Sequence, residues 1–509
     1  MKMVKSLLLG AAAGFVAVAG AQAADLPVKA KPVQYVKICS LYGAGFYYIP
    51  GTDTCLKVGG WVRQEIGYGN NGSFTTPLFN NYLNTRATVG NNWRVKGVIT
   101  FDAREQTEYG TLRSYAALGL STNNAGQNPP ATADNAYYVP RWFIQWAGFT
   151  MGHASSFYDF YNTGANQYNS LTGAGPDSTD GGWDVFGYTA QFGNGVSASI
   201  AAEVSRRTVI LNVAGSAAAT GFQLTNPFAG AAAANAGVVN TGTTLAGQGY
   251  AGQQWPDLVA NLRVDQAWGS AQIQGALHNV NASYNGVAEG TGHVGDKVGG
   301  AIGGGVKFLT PFIAKGDYFE MGADYAVGAT RYLMHGLGGA NTFTYYDGAN
   351  VAIGTVSDAV VGGTVAGGNN TMELTRGWDI NAAFTHFWLP NLKSTLWANY
   401  VAVNYNAGAN AMLCSSIGFG NGLSGTLAVA NAGCDFDWSA WAVGVRTEWA
   451  ATKNLSLGIE VLYGQLQSMS VAGNVVTIAA NGAKPTAAYT LSDQDQVAVR
   501  FRATRNFYP

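Results

Sequence analysis

Six basic residues, Arg63, Arg86, Arg94, Lys96, Arg113 and Arg141, fall on the polar side of stretches in which apolar and polar residues alternate. Guanidinium and ammonium groups in such a row remain charged at neutral pH, and their natural chemistry is to hold a positive field for ions and polar solutes. Arg263, Lys393, Arg446, Arg500 and Arg502 extend the set elsewhere in the chain. A separate segment, 152–182, gathers the carboxylates Asp159, Asp177 and Asp180 with Phe157, Tyr158, Phe160, Tyr161 and Tyr168. Carboxylates facing such a basic wall across a wet gap would create a transverse field that sorts solutes by charge and size. The alternative reading leaves 152–182 as a surface loop.

Other reactive residue types form no motif. His153, His278, His293, His335 and His386 stand apart, without the Ser-His-Asx set a hydrolase would need. His386 shares parity with Phe384 and Trp388, which makes it a neighbour of aromatics, and His153 opens the 152–182 segment. Gly299-Gly300 and Gly303-Gly304-Gly305 lack the Lys-Ser/Thr of a phosphate-cradling loop and read as glycines that ease strand bending. Cys39, Cys55, Cys414 and Cys434 have no C-x-x-C spacing, so neither a metal nor a cofactor is expected. In an oxidising compartment they would form disulfides, local pairing being favoured, although four cysteines allow three connectivities.

The elements that must position these residues are strands. Val497, Val499, Phe501 and Phe507 share one face while Arg500, Arg502 and Thr504 share the other. Trp93, Val95, Ile99 and Phe101 repeat this against Arg94, Lys96, Thr100 and Asp102. Leu258, Leu262 and Val264 do so against Asn261, Arg263 and Asp265, and Leu455, Leu457, Ile459, Val461 and Tyr463 form a further apolar face. Aromatics mark many strand ends, among them Tyr68, Trp93, Trp268, Trp378, Trp388, Tyr400, Trp438 and Trp449, as the interfacial girdles of a membrane barrel would. Tight turns at Asn91-Asn92, Gly193-Asn194-Gly195, Leu389-Pro390-Asn391 and Thr452-Lys453-Asn454 alternate with long polar or Gly/Ala-rich stretches near 207–256, 281–296, 334–376, 405–437 and 467–493. The runs predict about sixteen antiparallel strands, starting near 56, 79, 93, 109, 137, 183, 196, 257, 269, 298, 318, 377, 392, 438, 455 and 494. One connection, 121–136, is long where a short turn is due. A barrel of this size is wide enough to leave an aqueous channel.

The ends and the composition agree. Lys2 and Lys5, an apolar run from Leu7 to Ala19 and Ala21-Gln22-Ala23 make residues 1–23 a signal peptide for export into the periplasm. Residues 24–55 then form a lead segment and 56–509 the barrel. Only 11% of the residues are charged, against about 25% in typical soluble domains. Apolar residues are plentiful yet dispersed, and no second run reaches the roughly 20 residues of a helical span. With 28 basic and 29 acidic residues, nothing suggests nucleic acid as a partner.

The chain resembles the porins of alphaproteobacteria, the rhizobial type in particular. The resemblance rests on Ala24-Asp25-Leu26-Pro27 and on VKICSLYGAGFYYIPGTDTCLKVGGWVR from Val36 to Arg63. It continues through FDAREQTEYGTLRSYA (101–116), FIQWAGFTMGHASSFYDFY (143–161) and VAVRFRATRNF (497–507). It implies an all-β transmembrane antiparallel barrel in the outer membrane, contacting lipid and lipopolysaccharide. Such a barrel is a homotrimer passing small hydrophilic solutes, with an inward-folded third loop, here 152–182, that narrows each channel. Tyr508 and Pro509 after Phe507 depart from the usual aromatic terminus, and Arg505 falls on the nominal lipid face. Rival readings are a barrel enzyme, which lacks a catalytic set, and an adhesin presenting the low-complexity stretch 213–252. A sugar- or anion-specific channel would need an aromatic slide or an arginine ladder.

Overall fold

The computed structural model describes residues 37–69, 90–123, 136–160, 168, 172–176, 178, 181–212, 249–284, 292–334, 342–362, 371–416, 433–478 and 487–507. The expected signal peptide, Arg86, Asp177, Asp180, His335 and the strand expected near 79 lie outside these residues.

Sixteen strands close into one antiparallel barrel. They are β1 (Cys55–Tyr68), β2 (Asn91–Thr107), β3 (Gly110–Asn123), β4 (Ala136–Trp146), β5 (Phe149–Ala154), β6 (Trp183–Gly193), β7 (Val196–Glu203) and β8 (Asp257–Gln266). There follow β9 (Gly269–Val280), β10 (Lys297–Leu309), β11 (Tyr318–Val327), β12 (Arg376–Leu389), β13 (Leu392–Asn404), β14 (Trp438–Thr452), β15 (Leu455–Gln467) and β16 (Gln494–Asn506). Closure comes from β1 against β16, in register from Trp61↔Asn506 to Tyr68↔Val499. Closing the sheet leaves no edge of unpaired backbone groups, which a strand structure in lipid requires. A two-residue strand, Tyr47–Tyr48, adds to the start of β1.

The side-chain period does the rest. Outward residues such as Trp93, Ile99, Leu262, Ile459 and Val497 are exposed, whereas Arg500 beside Val497 and Phe501 is buried in the interior. Six of the eight aromatics expected at the interfaces are exposed, namely Tyr68, Trp93, Trp268, Trp378, Trp388 and Trp449, and Tyr400 stacks on Trp378. Trp438 departs from that expectation. It is buried inside the mouth, where its indole N–H donates to the Thr355 carbonyl at 2.6 Å and its ring meets Phe343 at 5.4 Å. Arg505 is exposed at the level of the 453–454 turn, so the charge stands at the rim of the lipid belt.

Two sequence expectations are corrected by the pairing. β1 pairs directly with β2, from Cys55↔Arg104 to Tyr68↔Asn91, so no strand near 79 stands between them and Asn91-Asn92 opens a strand instead of making a turn. The missing strand is β5, which follows β4 through Ala147 (φ 49°) and Gly148 (φ 87°). Positive φ at both central positions suits a two-residue hairpin, but alanine seldom adopts it, so the turn has no Asn-Gly signature. With this turn in place, the connection from β3 to β4 falls at the end where long connections are due, and the anomaly at 121–136 disappears. Short turns at one end and long loops at the other then alternate without exception.

Two disulfides join Cys39 to Cys55 and Cys414 to Cys434, each with Cα atoms 6.0 Å apart, which settles the local pairing. The first pins residues 37–54 to the start of β1. The second closes a loop around the helix α1 (Ala407–Ser416). Closing a loop of this size is worth about 3 kcal/mol in the chain-entropy account. Cys414→Ala with Cys434→Ala should therefore raise thermolysin nicking of 405–437 about a hundredfold while the barrel stays intact. Equal nicking rates would show that packing alone holds this loop.

Described residues of the later long loops pack together at the mouth. Residues from 342–362, 405–413 and 468–491 form an apolar cluster with Tyr158, Ala174 and Tyr332. Its barrel-wall members, from Val259 to Ala498, come from β8–β16; among the described residues none comes from β1–β7.

Candidate functional site: a charged lumen crossed by the third loop

On the inward face of β1, Glu65 is fully buried and gathers arginines from both neighbouring strands. Arg94 of β2 reaches its Oε2 at 2.5 Å and Arg502 of β16 its Oε1 at 2.6 Å. The wall continues into β14, where Arg446 and Lys393 of β13 each lie 3.2 Å from Glu448. In the other direction Arg113 donates to both Asp102 oxygens at 3.0 Å and to Gln145 at 2.9 Å. Lys96 stands over the Tyr138 ring, Arg63 over Trp61, and Arg141 donates to Ser155 at 3.1 Å. The five described members of the expected basic wall thus all lie on neighbouring strands, β1–β4, with Arg500, Arg502 and Arg446 continuing the row. The sequence reading put Asp102 on the same face as Arg94 and Lys96 but missed the other acids set among them, Glu65, Glu448 and Glu460. Parity tells which face a side chain occupies, not which opposite charge stands one strand away.

The described residues of the third loop bond to the inner wall at several points. At its start Ser156 Oγ and the Phe157 N–H donate to buried Glu203 of β7 at 2.6 and 2.7 Å. Asn261 of β8 donates to the Phe157 carbonyl at 2.6 Å. Farther along, the Tyr168 N–H donates to Glu460 of β15 at 2.6 Å and Arg500 of β16 donates to its carbonyl at 2.9 Å. Thr172 then reaches Asn399 of β13 at 2.7 Å, and the Gly175 N–H donates to Leu333 at 2.8 Å. β8 and β16 are half a circuit apart in the strand order, so the loop is tied to opposite sides. Wall glycines make room for it. A Cβ on Gly187, Gly305 or Gly458 would lie 2.5, 2.6 or 2.0 Å from Phe157, Phe160 or Tyr168 respectively. The glycine run of β10 thus has a packing role, since Gly303 likewise leaves space for Asp324.

Asp159 does not face the arginine wall directly. Its carboxylate accepts from Arg206 at 2.9 Å and from Ser178 at 2.6 and 2.7 Å, on the β7–β9 side. Burial alone would lower the Arg206 pKa, yet Asp159 beside it holds the guanidinium above its usual range, so the pair stays ionised. Burial and then Glu448 raise the Tyr168 phenol above its ordinary range, leaving it a neutral donor to Glu448 at 3.1 Å. Arg206 was not foreseen, since it follows β7 in a loop where strand parity says nothing. Nor was buried His278, held between Asp257 at 2.8 Å and the Tyr250 hydroxyl at 2.9 Å. His386 lies beside Trp388 as its parity implied and also contacts Asp317 at 2.7 Å. His153 pairs with Asp184 at 2.5 Å. Among the described residues no cluster of ligands could hold a metal ion.

A closed sixteen-strand barrel, apolar outside, charged inside and entered by its own third loop, defines the outer-membrane porin class. The chain belongs to the porin subfamily, whose family model matches residues 25–499. Similar proteins include the porin Omp2b of Brucella suis, 35% identical over 210 residues, 39% of this chain and 54% of that one. The porin Omp2a of Brucella abortus is 41% identical over 128 residues, 24% of this chain and 36% of that one. These alignments span about half or less of the relatives' own length. Among solved structures, the outer membrane channel DcaP of Acinetobacter baumannii superposes with a TM-score of 0.51. It is 15% identical, with 90% of this chain and 99% of that one covered, a likeness of fold. Family and barrel together place the protein in the outer membrane.

Proposed function

We propose that this protein is a passive aqueous channel for small hydrophilic solutes and ions, narrowed by segment 152–182. The observation that carries this reading is the course of the loop, fixed to Glu203 and Asn261 on one side and to Glu460 and Arg500 on the other. A chain stretched across the lumen narrows the water path, and the charges on both sides select what passes. Apolar solutes would have to shed their water into this field, so hydrophilic ones are favoured. Family membership favours a channel over an enzyme and suggests a trimer; contact with membrane lipid and lipopolysaccharide is part of the same proposal.

The test is single-channel conductance in a planar bilayer. Deleting 159–180 should raise the conductance and widen the solute cutoff. A deletion variant with the original conductance and the original cutoff would show that the segment does not set the passage. A folded barrel that gives no current steps at any voltage would remove the channel reading itself.

A further inference from the structure

The inward side of β3 and β4 carries rings where a general-diffusion lumen would need only small or charged groups. Tyr115 and Phe143 are direct cross-strand partners whose rings lie 5.3 Å apart at an interplanar angle of 25°. Four residues up β3, Gly119 opposes Tyr138. A Cβ on Gly119 would stand 2.4 Å from two atoms of the Tyr138 ring, so the ring rests on bare backbone. All three aromatics are half-buried, unlike outward Tyr137 and Trp142, which are exposed to the lipid side.

Basic and amide groups interleave with the rings. Arg141 pairs with Ala117, between the two aromatic levels. Arg113, one level below Tyr115, has its guanidinium 5.0 Å from the Tyr115 ring and 5.3 Å from Phe143. Lys96 lies 5.0 Å from Tyr138, and Gln145 is bonded to Arg113. Asp102 beside the track is shared between Arg104 and Arg113, so the track keeps an excess of cations. Among the described residues, the apolar loop cluster takes its wall members from β8–β16, so none of its wall residues lies on the strands that carry the track.

We propose that this track binds acidic saccharides, pyranose units bearing carboxylates, as they pass. The inference rests on the channel reading. Sugar C–H bonds carry slight positive charge and lie well on the negative faces of aromatic rings. Their hydroxyls match an amide and guanidinium donors, and a uronate carboxylate matches the arginine fork. Rings spaced along the transport direction let a chain of sugar units move from one platform to the next without losing all its contacts, which conduction requires.

The experiment is current interruption by trigalacturonate added to single channels in a planar bilayer, with maltotriose and sodium acetate as comparisons. Trigalacturonate should block at concentrations where the other two do not. Tyr115→Ala with Phe143→Ala should weaken the block about tenfold, Tyr138→Ala should do likewise, and Tyr115→Phe should preserve it. Calorimetric binding of trigalacturonate to the detergent-folded protein and its variants provides a readout independent of current. No interruption of existing current steps, equal block by acetate or maltotriose, or undiminished binding in the alanine variants would each overturn the proposal. The open-channel steps recorded before saccharide is added report on the channel reading separately.

Discussion

Replacing Glu65 with glutamine should destabilise the barrel by about 3–5 kcal/mol, the loss expected when one member of a buried ion pair is removed. Glu65 is the fully buried acid that Arg94 and Arg502 reach at 2.5 and 2.6 Å from the strands on either side. This is also the seam where the last strand meets the first. Glutamine keeps the volume and most of the hydrogen-bonding capacity. It removes the charge that Arg94 and Arg502 share, one strand step from Arg500. Repulsion then acts across β16–β1–β2, and closure should be the step that suffers. Urea titration of the protein refolded into lipid vesicles, followed by tryptophan fluorescence and heat-modifiable gel mobility, measures the loss. An unchanged midpoint and slope would show that lumen water screens these charges as well as bulk solvent does. In the fraction that folds, the uncovered arginines should shift the reversal potential in a salt gradient toward anions.

How much of this was legible follows from what each signal encodes. Val497 and Phe501 outside with Arg500 and Arg502 inside could be read directly, because a strand alternates regardless of its partners. The long and short connections could be read too, and they yielded the correct strand number for a partly wrong reason. A strand was expected near 79, whereas β5 was hidden behind Ala147-Gly148, a turn whose chemistry alanine disguises. Trp438 shows a second limit: an aromatic at a strand end marks a lipid interface only if its parity points outward. The site was legible as a list of charges but not as pairs. Glu65 stands 437 positions from Arg502 in the chain, and only closure of the barrel makes them neighbours. Asp159 was expected to oppose the arginine wall, yet Arg206 and Ser178 sit closer and take its carboxylate. The aromatic track was invisible for a similar reason, since Tyr115 and Phe143 belong to strands whose register depends on a bulge between Ala117 and Gly119.

The loop itself offers the second large effect. Tyr168 reaches the wall by two routes, backbone and ring. Its backbone is held by Glu460 and Arg500; its ring fits the space above Gly458, with the Arg502 guanidinium 3.8 Å from the ring centre and Arg446 at 5.3 Å. Tyr168→Ala removes only the ring route. A desolvated cation–π contact is worth about 2 kcal/mol and a hydroxyl donating to a charged acid about 1 kcal/mol where water still reaches it, so the seated state should lose roughly 3 kcal/mol. That lowers the ratio of seated to unseated loop roughly a hundredfold. The consequence should appear in single-channel records as flicker to a higher conductance level. Tyr168→Phe keeps the ring over Gly458 and beside Arg502 but loses the bond to Glu448, so it should fall between the alanine variant and the parent. The order matters more than either value: parent, phenylalanine, alanine in rising open-level occupancy. Records from the alanine variant that match the parent would mean that Glu460 and Arg500 hold the loop through its backbone alone. The ring would then be filling space and not locking the loop.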